Sequence, residues 1–416
     1  MSKIQHKGFI TMMKFSISAV FSFTALAILG AAQAEMTNPY KVVSISTVSE
    51  QQSIEQADDV RAYMHGINLA KRADGHYDLI WSAASDEVTK EGNWNHDIYT
   101  STLNAQTPAI QAIRTLISAP EAQEPVSVSQ TKNGMRMYTF EDGNQAKNQV
   151  AQRFAIFDEQ GHPVKQYPQT VKDGGHSGHT ASTNEQHVIF WSDDWIEGGG
   201  VDNLGSGKEV WVTAYTASGN KLHTKKITTL NNQRDWWPMI AASADRTMLV
   251  WQRFVEGETY AELMGAIYDP KTNKLIKQPI ILNKNIQYYT YEVSYIESIK
   301  SFVVSATTHL NKGVLYVINE NAMVTAKKQG LKAFVREAHP AIKLGDKKSE
   351  LMYPTAPTGF ALFEVNANSI SMQALIEDSY EWQYSGTVGF YTLKNDVYFA
   401  SLSKEGVIEK LVRKSH

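Results

Sequence analysis

Cysteine is absent from this chain of 416 residues. That excludes disulfides, thiolate metal sites and a cysteine nucleophile, and it leaves the stability of an exported chain to a large hydrophobic core. Proline is sparse, with 12 residues, and no proline-rich or low-complexity linker divides the chain. A surplus of basic charge is also missing. Lys and Arg number 40 against 43 Asp and Glu, and no basic cluster is interleaved with aromatics, so nucleic acid is excluded as a partner. Helical periodicity is nearly absent. Only TPAIQAIRTLIS (107–118) fits it, and this segment falls where a fourth strand is expected.

Long apolar runs are confined to the N-terminus. Lys14 precedes an apolar run from Phe15 to Leu29, and Ala32-Gln33-Ala34 fits a small-x-small cleavage pattern. These features predict a signal peptide over residues 1–34 and export to the periplasm or the medium. Nothing after it approaches the ~20 apolar residues of a membrane span, so no membrane span is expected in the mature chain. Lys3, Lys7 and Lys14 leave with the signal and no acid does, which moves the net charge from −3 to −6.

What is present in quantity is β-forming sequence. Trp 9, Tyr 19 and Phe 15 give a high aromatic content. QVAQRFAIFDEQGHPVKQ, EVWVTAYTASGNKLHTKKI, LMGAIYDPKTNKLIKQPIIL and GVLYVINENAMVTAKKQ each alternate with period two, pass through an Asp/Asn/Gly turn and return. Before each lies an apolar run (MRMYTF, HVIFWS, TMLVWQRF, SFVVSATTH), and before that a small-residue strand (PVSVSQ, HTASTN, PMIAASAD, YEVSYIE). The turns recur near Asn104, Gly161, Gly219, Asn273 and Asn321, at spacings of 57, 58, 54 and 48 residues. Four strands at this period predict a single all-β domain over 35–416, a β-propeller of seven four-stranded blades with six as the alternative count. YKVVSIST is expected to complete the last blade and close the ring. A pair of β-sandwiches is the competing architecture. WPMIAASADRTMLVWQRF followed by AIYDPKTNKL resembles the widespread propeller repeat P-x-I-A…VVW…YD-x-x-G.

In a propeller, the entries to the innermost strands and the loops between second and third strands share one rim. The first set contains DGGHSGH (173–179), Arg234 to Trp237, Tyr288 to Tyr291, and Arg336 with His339. The second contains Trp94 to His96, a segment ending at Arg153, the long SDDWIEGGGVDNLGSGK, and Arg253 to Tyr260. His176, His179, Asp193, Asp194, Trp195 and Asp202 are therefore expected on one rim. His76, His162 and His223 are expected in solvated turns elsewhere, and Trp81, Trp191 and Trp251, which end second strands, in the core.

Three chemistries compete for this rim. His176 and His179 with Asp193, Asp194 and Asp202 offer a mixed nitrogen–oxygen metal site for Zn2+, or Asp193, Asp194, Glu197 and Asp202 an all-oxygen site for Ca2+. The bland counterpart is that Gly174, Gly175 and Gly178 admit close backbone packing while His179 fills a channel-facing position. Trp195, Trp236, Trp237 and Tyr289, with Arg253, suit stacking on a sugar. Again the bland counterpart is packing between blades. Finally, export and this set of residues resemble secreted propeller polysaccharide lyases, the ulvan lyases among them. That resemblance implies β-elimination on a uronate polysaccharide, with Arg153, Arg234, Arg253 or Arg336 neutralising the carboxylate and His96, His176, His179, Tyr260 or Tyr289 moving the protons. The histidine pair of those lyases, about twenty residues apart, has no counterpart after His65 or His176. Neither a G-x-S-x-G elbow nor a P-loop is present.

The leading expectation is an exported propeller binding an extracellular polysaccharide or other surface ligand, with the lyase as the alternative. The metal reading predicts that chelation lowers the melting temperature and that re-added Ca2+ or Zn2+ restores it. An unchanged melting curve together with no metal by elemental analysis removes that site.

Overall fold

The computed structural model describes residues 40–48, 66–72, 74–88, 94–104, 113–119, 122–144, 149–193, 196–197, 205–228, 234–382, 386–403 and 406–414. They belong to one unit, Asn38–His416; the N-terminal Met1–Thr37, which contains the expected signal, lies outside the described residues.

The chain is a β-propeller, and the described residues contain no α-helix. The first four-stranded group is Asn68–Lys71, Tyr77–Val88, Trp94–Leu103 and Arg114–Ile117, paired antiparallel in chain order. The segment with helical periodicity thus supplies an outer strand at Arg114–Ile117, because edge pairing overrides its weak helical pattern; residues 105–112 lie outside the described residues. The second group is Gln123–Gln130, Arg136–Asn144, Gln149–Phe157 and Gln169–Asp173, and the third His176–Ser182, Gln186–Asp193, Glu209–Thr216 and Lys221–Lys226. An eight-stranded sheet follows, in which Ile280–Ile296 is shared. Its first part pairs with Ala261–Asp269, and its last part, from Tyr291, pairs with Ser301–Thr308. One strand therefore serves as the outer strand of the fourth group and the inner strand of the fifth. The sixth group runs from Ala341–Leu344 to Ser369–Glu381.

The closing sheet combines both ends of the chain. Tyr40–Val48 pairs antiparallel with Gly406–Lys414, outside Val397–Ser403 and Thr387–Tyr391. The ring closes as the sequence led us to expect.

Burial explains why the pattern reads as it does. Second strands are buried on both faces: Thr247–Phe254 and Ser301–Thr308 are buried save for their last residues. Hence their unbroken apolar runs. Outer strands such as Val324–Leu331 are mostly exposed and polar. Each neighbouring pair of groups shares its own buried cluster. Val188, Phe190 and Val212 of the third group meet Leu249, Trp251 and Tyr268 of the fourth. Trp81 and Tyr99 of the first meet Phe390 and Tyr398 of the closing sheet. Trp81, Trp191 and Trp251 are core residues, as expected. His162 is exposed and His76 half-buried, both in turns, but His223 sits within the outer strand Lys221–Lys226.

A hydrogen-bond staple links successive groups. In four of the groups, the residue that follows the second strand's Trp, Phe or Ala accepts a backbone N–H at the entry to the next inner strand. Ser82 accepts from Val126 at 3.0 Å, Gln252 from Tyr289 at 3.0 Å and Thr307 from Phe334 at 3.0 Å; Glu141 accepts from Ser177.

Because Tyr40–Val48 covers the edge of Gly406–Lys414 and Val42 packs on the cluster behind it, deletion through Val48 is expected to lower the melting temperature by about 10 °C or more and to promote aggregation through the bared edge. Thermal scans with light scattering check this; an unchanged melting temperature contradicts ring closure by this strand.

Candidate functional site

Inner strands enter the ring through bulges. Register breaks fall between Glu124 and Ser127, His176 and His179, Trp236 and Met239, and Ile286 and Tyr291. Within them, Ser177, Trp237 and Tyr289 take left-handed backbone angles (φ 54°, 56° and 62°), and Glu337 does the same ahead of the sixth group (φ 51°). Such residues are uncommon outside glycine and cost ~1–3 kcal/mol each. The staples from Glu141 and Gln252 hold two of them.

The glycines of DGGHSGH serve this packing. Gly178 donates its N–H to Gln152 Oε1 at 2.7 Å, and a Cβ added there would lie 2.4 Å from the Gln152 amide. At Gly175 a Cβ would press on Lys172 and Trp191 at 3.1 Å. Of the two readings offered for these glycines, the geometry shows close packing against the second group.

His176 is buried, with Nδ1 hydrogen-bonded to Ser177 Oγ at 3.1 Å, and Trp236 Nε1 donates to the same hydroxyl at 3.3 Å. Burial drives the His176 imidazole down to about 3. Gly207, at the far end of the long loop, packs against this ring: a Cβ there would be 3.0 Å from His176 Cε1. The loop's described ends form a ribbon, Ile196–Glu197 with Gly205–Ser206. Asp194, Trp195 and Asp202 lie outside the described residues, so the expected meeting of His176 or His179 with Asp194 and Asp202 lies there too. Asp193 is described; it is buried and pairs with Lys172 at 3.5 Å. Among the described residues no group of three His, Asp or Glu is placed to hold a metal.

Where the inner strands converge there is a cavity of about 280 Å3. Its walls include Asn68, Ser127, Ser129, His179, Thr180, Ser182, Ile240, Ala242, Glu337 and His339. His179 Nδ1 donates to the Ser177 carbonyl at 3.2 Å, and its ring meets Trp237 edge-on at 6.1 Å. Burial depresses its imidazole to about 4, against the pull of Glu337. His339 differs. Its Nδ1 donates to Glu292 Oε1 at 2.9 Å, and Glu292 is 1 % exposed. Burial works against charge on His339, but Glu292 and then Glu337 outweigh it and hold the imidazole above its ordinary value.

Beside the cavity, Trp236, Trp237, Tyr288 and Tyr289 pack on one another and are at most 7 % exposed. The Arg336 guanidinium lies 4.1 Å from the Tyr289 ring centre and 5.8 Å from that of Trp237, and its Nε pairs with Glu337 Oε1 at 2.9 Å. Tyr291 donates its hydroxyl to the Trp237 carbonyl. Trp236, Trp237 and Tyr289 thus act as packing between groups, the bland counterpart of sugar stacking.

The remaining candidates are dispersed. His96 is buried 3.3 Å from Glu124. Arg153 lies 3.4 Å from Asp142 and hydrogen-bonds Thr170. Arg253 makes a two-pronged pair with Asp235, at 2.7 and 3.0 Å, and Asp235 is fully buried. Arg234 covers the Phe254 ring at 4.8 Å, and Tyr260 stands 5.4 Å from the His309 ring. The sequence reading missed Glu292 and Glu337 altogether. A carboxylate between Tyr291 and Val293 in the small-residue strand YEVSYIE was the available signal for Glu292.

No protein family and no curated protein matches the chain in sequence. Solved structures do share its fold. The BP39L lectin from Burkholderia pseudomallei is similar over 85 % of this chain and 97 % of its own, at 12 % identity and TM-score 0.53. A chain of a mitotic checkpoint complex aligns over 97 % and 98 %, at 9 % identity and TM-score 0.51. A protein of unknown function from Dyadobacter fermentans aligns over 90 % and 99 %, at 13 % identity and TM-score 0.50.

The buried histidines predict an acid-sensitive fold. His176, His179 and His187 are held neutral at about 3, 4 and 4, each by burial, against 6.5 when unfolded. Unfolding therefore takes up protons as pH falls below about 6.5, and stability is lost from there towards 4, at about 1.4 kcal/mol per unit for each. Glu141, raised by burial to about 7, works the other way but is one group against three. Melting temperature should fall over that window, and His176→Gln should flatten the slope by about half, since three histidines opposed by one glutamate leave a net of two groups. A pH-independent melting temperature between 4 and 6.5 refutes this.

Proposed function

We propose that the chain is an exported seven-bladed propeller, the eight-stranded sheet counting as two blades, that binds a small unit of an extracellular glycan in the axial cavity. The observation that supports this most is the wall chemistry: hydroxyl, amide, imidazole and carboxylate groups from several inner strands converge on about 280 Å3, near the lower limit of small-molecule sites and suited to one sugar unit. The lectin of the same fold adds an analogy, which fold likeness alone does not turn into function. The signal-like N-terminus supports export. A Ca2+ or Zn2+ ion in the loop carrying Asp193, Asp194 and Asp202 is a separate proposal, decided by chelation.

A uronate lyase is the second reading. It draws less support, because Arg153 and Arg253 already have carboxylate partners and His176 is enclosed.

A glycan array followed by calorimetry tests the proposal. Binding is expected for the wild type and is expected to be lost in Ala242→Phe, which fills the cavity, with the melting temperature kept. Absence of any glycan ligand, or binding indifferent to Ala242→Phe, refutes the cavity reading. Release of unsaturated uronate absorbance from uronate polysaccharides would replace binding with lyase action.

A further inference from the structure

We propose that His339, backed by Glu292, is a proton-gated anchor for the carboxylate of a small hydroxylated acid in the axial cavity. The inference rests on the reading that this cavity takes a sugar-sized ligand, and it names the ligand's charged group.

The geometry begins with Glu292. It is 1 % exposed, and one oxygen of its carboxylate holds two polar partners: Oε1 accepts from His339 Nδ1 at 2.9 Å and from Ser294 Oγ at 2.8 Å. Burying a carboxylate is costly, and here it fixes one ring orientation. With Nδ1 turned to Glu292, Nε2 is the nitrogen left for a ligand. It accepts a hydrogen bond when the ring is neutral and donates one when the ring is charged. The His339 side chain is 39 % exposed although it sits deep in the ring, and that exposure faces the cavity it lines.

The surrounding charges make the proton decisive. From its own segment come Arg336 and Glu337, which pair at 2.9 Å. From Ile280–Ile296 comes Glu292. From His176–Ser182 comes His179, which burial keeps neutral. Ser349–Pro354 brings Tyr353, a buried phenol held far above its usual range by burial, and Thr387–Tyr391 places Val388 opposite His339. With His339 protonated, Arg336, Glu337, Glu292 and His339 sum to zero. Without that proton they leave one negative charge, which repels an anion at short range in a poorly screened site. The gate itself is Nε2, which donates to a carboxylate in the protonated state alone; the negative sum of the unprotonated state adds to that exclusion. Ser129, Thr180 and Ser182 line the same walls; their hydroxyls are bonded to one another, to His187 or to the Val188 carbonyl, and each oxygen keeps a lone pair to accept from a ligand hydroxyl beside that carboxylate.

The test uses the full chain with D-glucuronate, D-glucose and acetate in calorimetry, and histidine NMR. Glucuronate should bind about tenfold tighter than glucose at about pH 5.5, the advantage vanishing as pH rises through the His339 midpoint. By linkage, glucuronate should raise the His339 midpoint and glucose should not. Glu292→Gln should move the loss of preference to lower pH while glucose binding persists, a shift that a purely structural role would not give. His339→Gln should erase the preference. Equal binding of glucuronate and glucose at every pH, or a profile unmoved by Glu292→Gln, overturns the anchor and leaves the glycan reading standing. Acetate binding as tightly as glucuronate overturns the hydroxylated ligand. Failure of all three probes to bind or to move the His339 signal overturns the anchor; failure of every glycan on the array overturns the cavity reading beneath it. The midpoint shift is read on wild-type protein, so it decides the matter even where a variant fails to fold.

Discussion

Everything in this structure depends on strands that must lose water from both faces. A second strand such as TMLVWQRF has no polar side to offer, so its sheet needs a neighbour on each side. Twisted four-stranded sheets satisfy that demand by stacking around an axis, and the last must meet the first. The contact of Trp81 and Tyr99 with Phe390 and Tyr398 is where the demand is finally met. The strand Tyr40–Val48 then hydrogen-bonds an edge that would otherwise be left open.

Stacking around an axis crowds the centre. Inner strands arrive close together, and each must turn sharply to run along the axis. The bulges and the left-handed residues Ser177, Trp237, Tyr289 and Glu337 are the local cost of that turn. The staples from Ser82, Glu141 and Gln252 offset part of it, since each satisfies an N–H that the bulge has removed from its ladder. Where the third group lacks side-chain bulk, Gln152 enters against Gly178 instead. The same crowding that strains the backbone leaves a small polar cavity between the entries.

The fold was legible because burial on two faces, alternation and turn chemistry all leave period and composition in the sequence. The strand shared between the fourth and fifth groups was less so: IILNKNIQYYTYEVSYI reads as two strands with a loop between, and only the three-dimensional path makes it continuous. The rim was legible as a place and poorly legible as chemistry. Trp236, Trp237 and Tyr289 have the composition of a sugar platform, yet composition does not say which ring face is already covered, and here neighbouring rings and Arg336 cover them. Arg253 looks available until Asp235, eighteen residues away in sequence, is brought beneath it. Long-range pairing of that kind has no local signature. The pairing of Glu292 was hidden for the same reason: its partner His339 is forty-seven residues downstream.

The cavity's character follows from how unevenly its groups are desolvated. His179 and His339 line one space, both deep within the ring, and yet their protons are biased in opposite senses. The difference lies in what stands behind each ring. Behind His179 is a backbone carbonyl, too weak a partner to repay burial of a cation. Behind His339 is a buried carboxylate, which does repay it. Removing the charge of Glu292 would therefore turn His339 into a second His179, and the walls would lose a switchable donor while their shape stayed the same. Two histidines with opposed biases on one wall mean that the surface of the cavity is not set by packing alone. It is set by the identity of single residues one layer further out, and that layer is where any difference in ligand preference between this ring and others of its fold has to be sought.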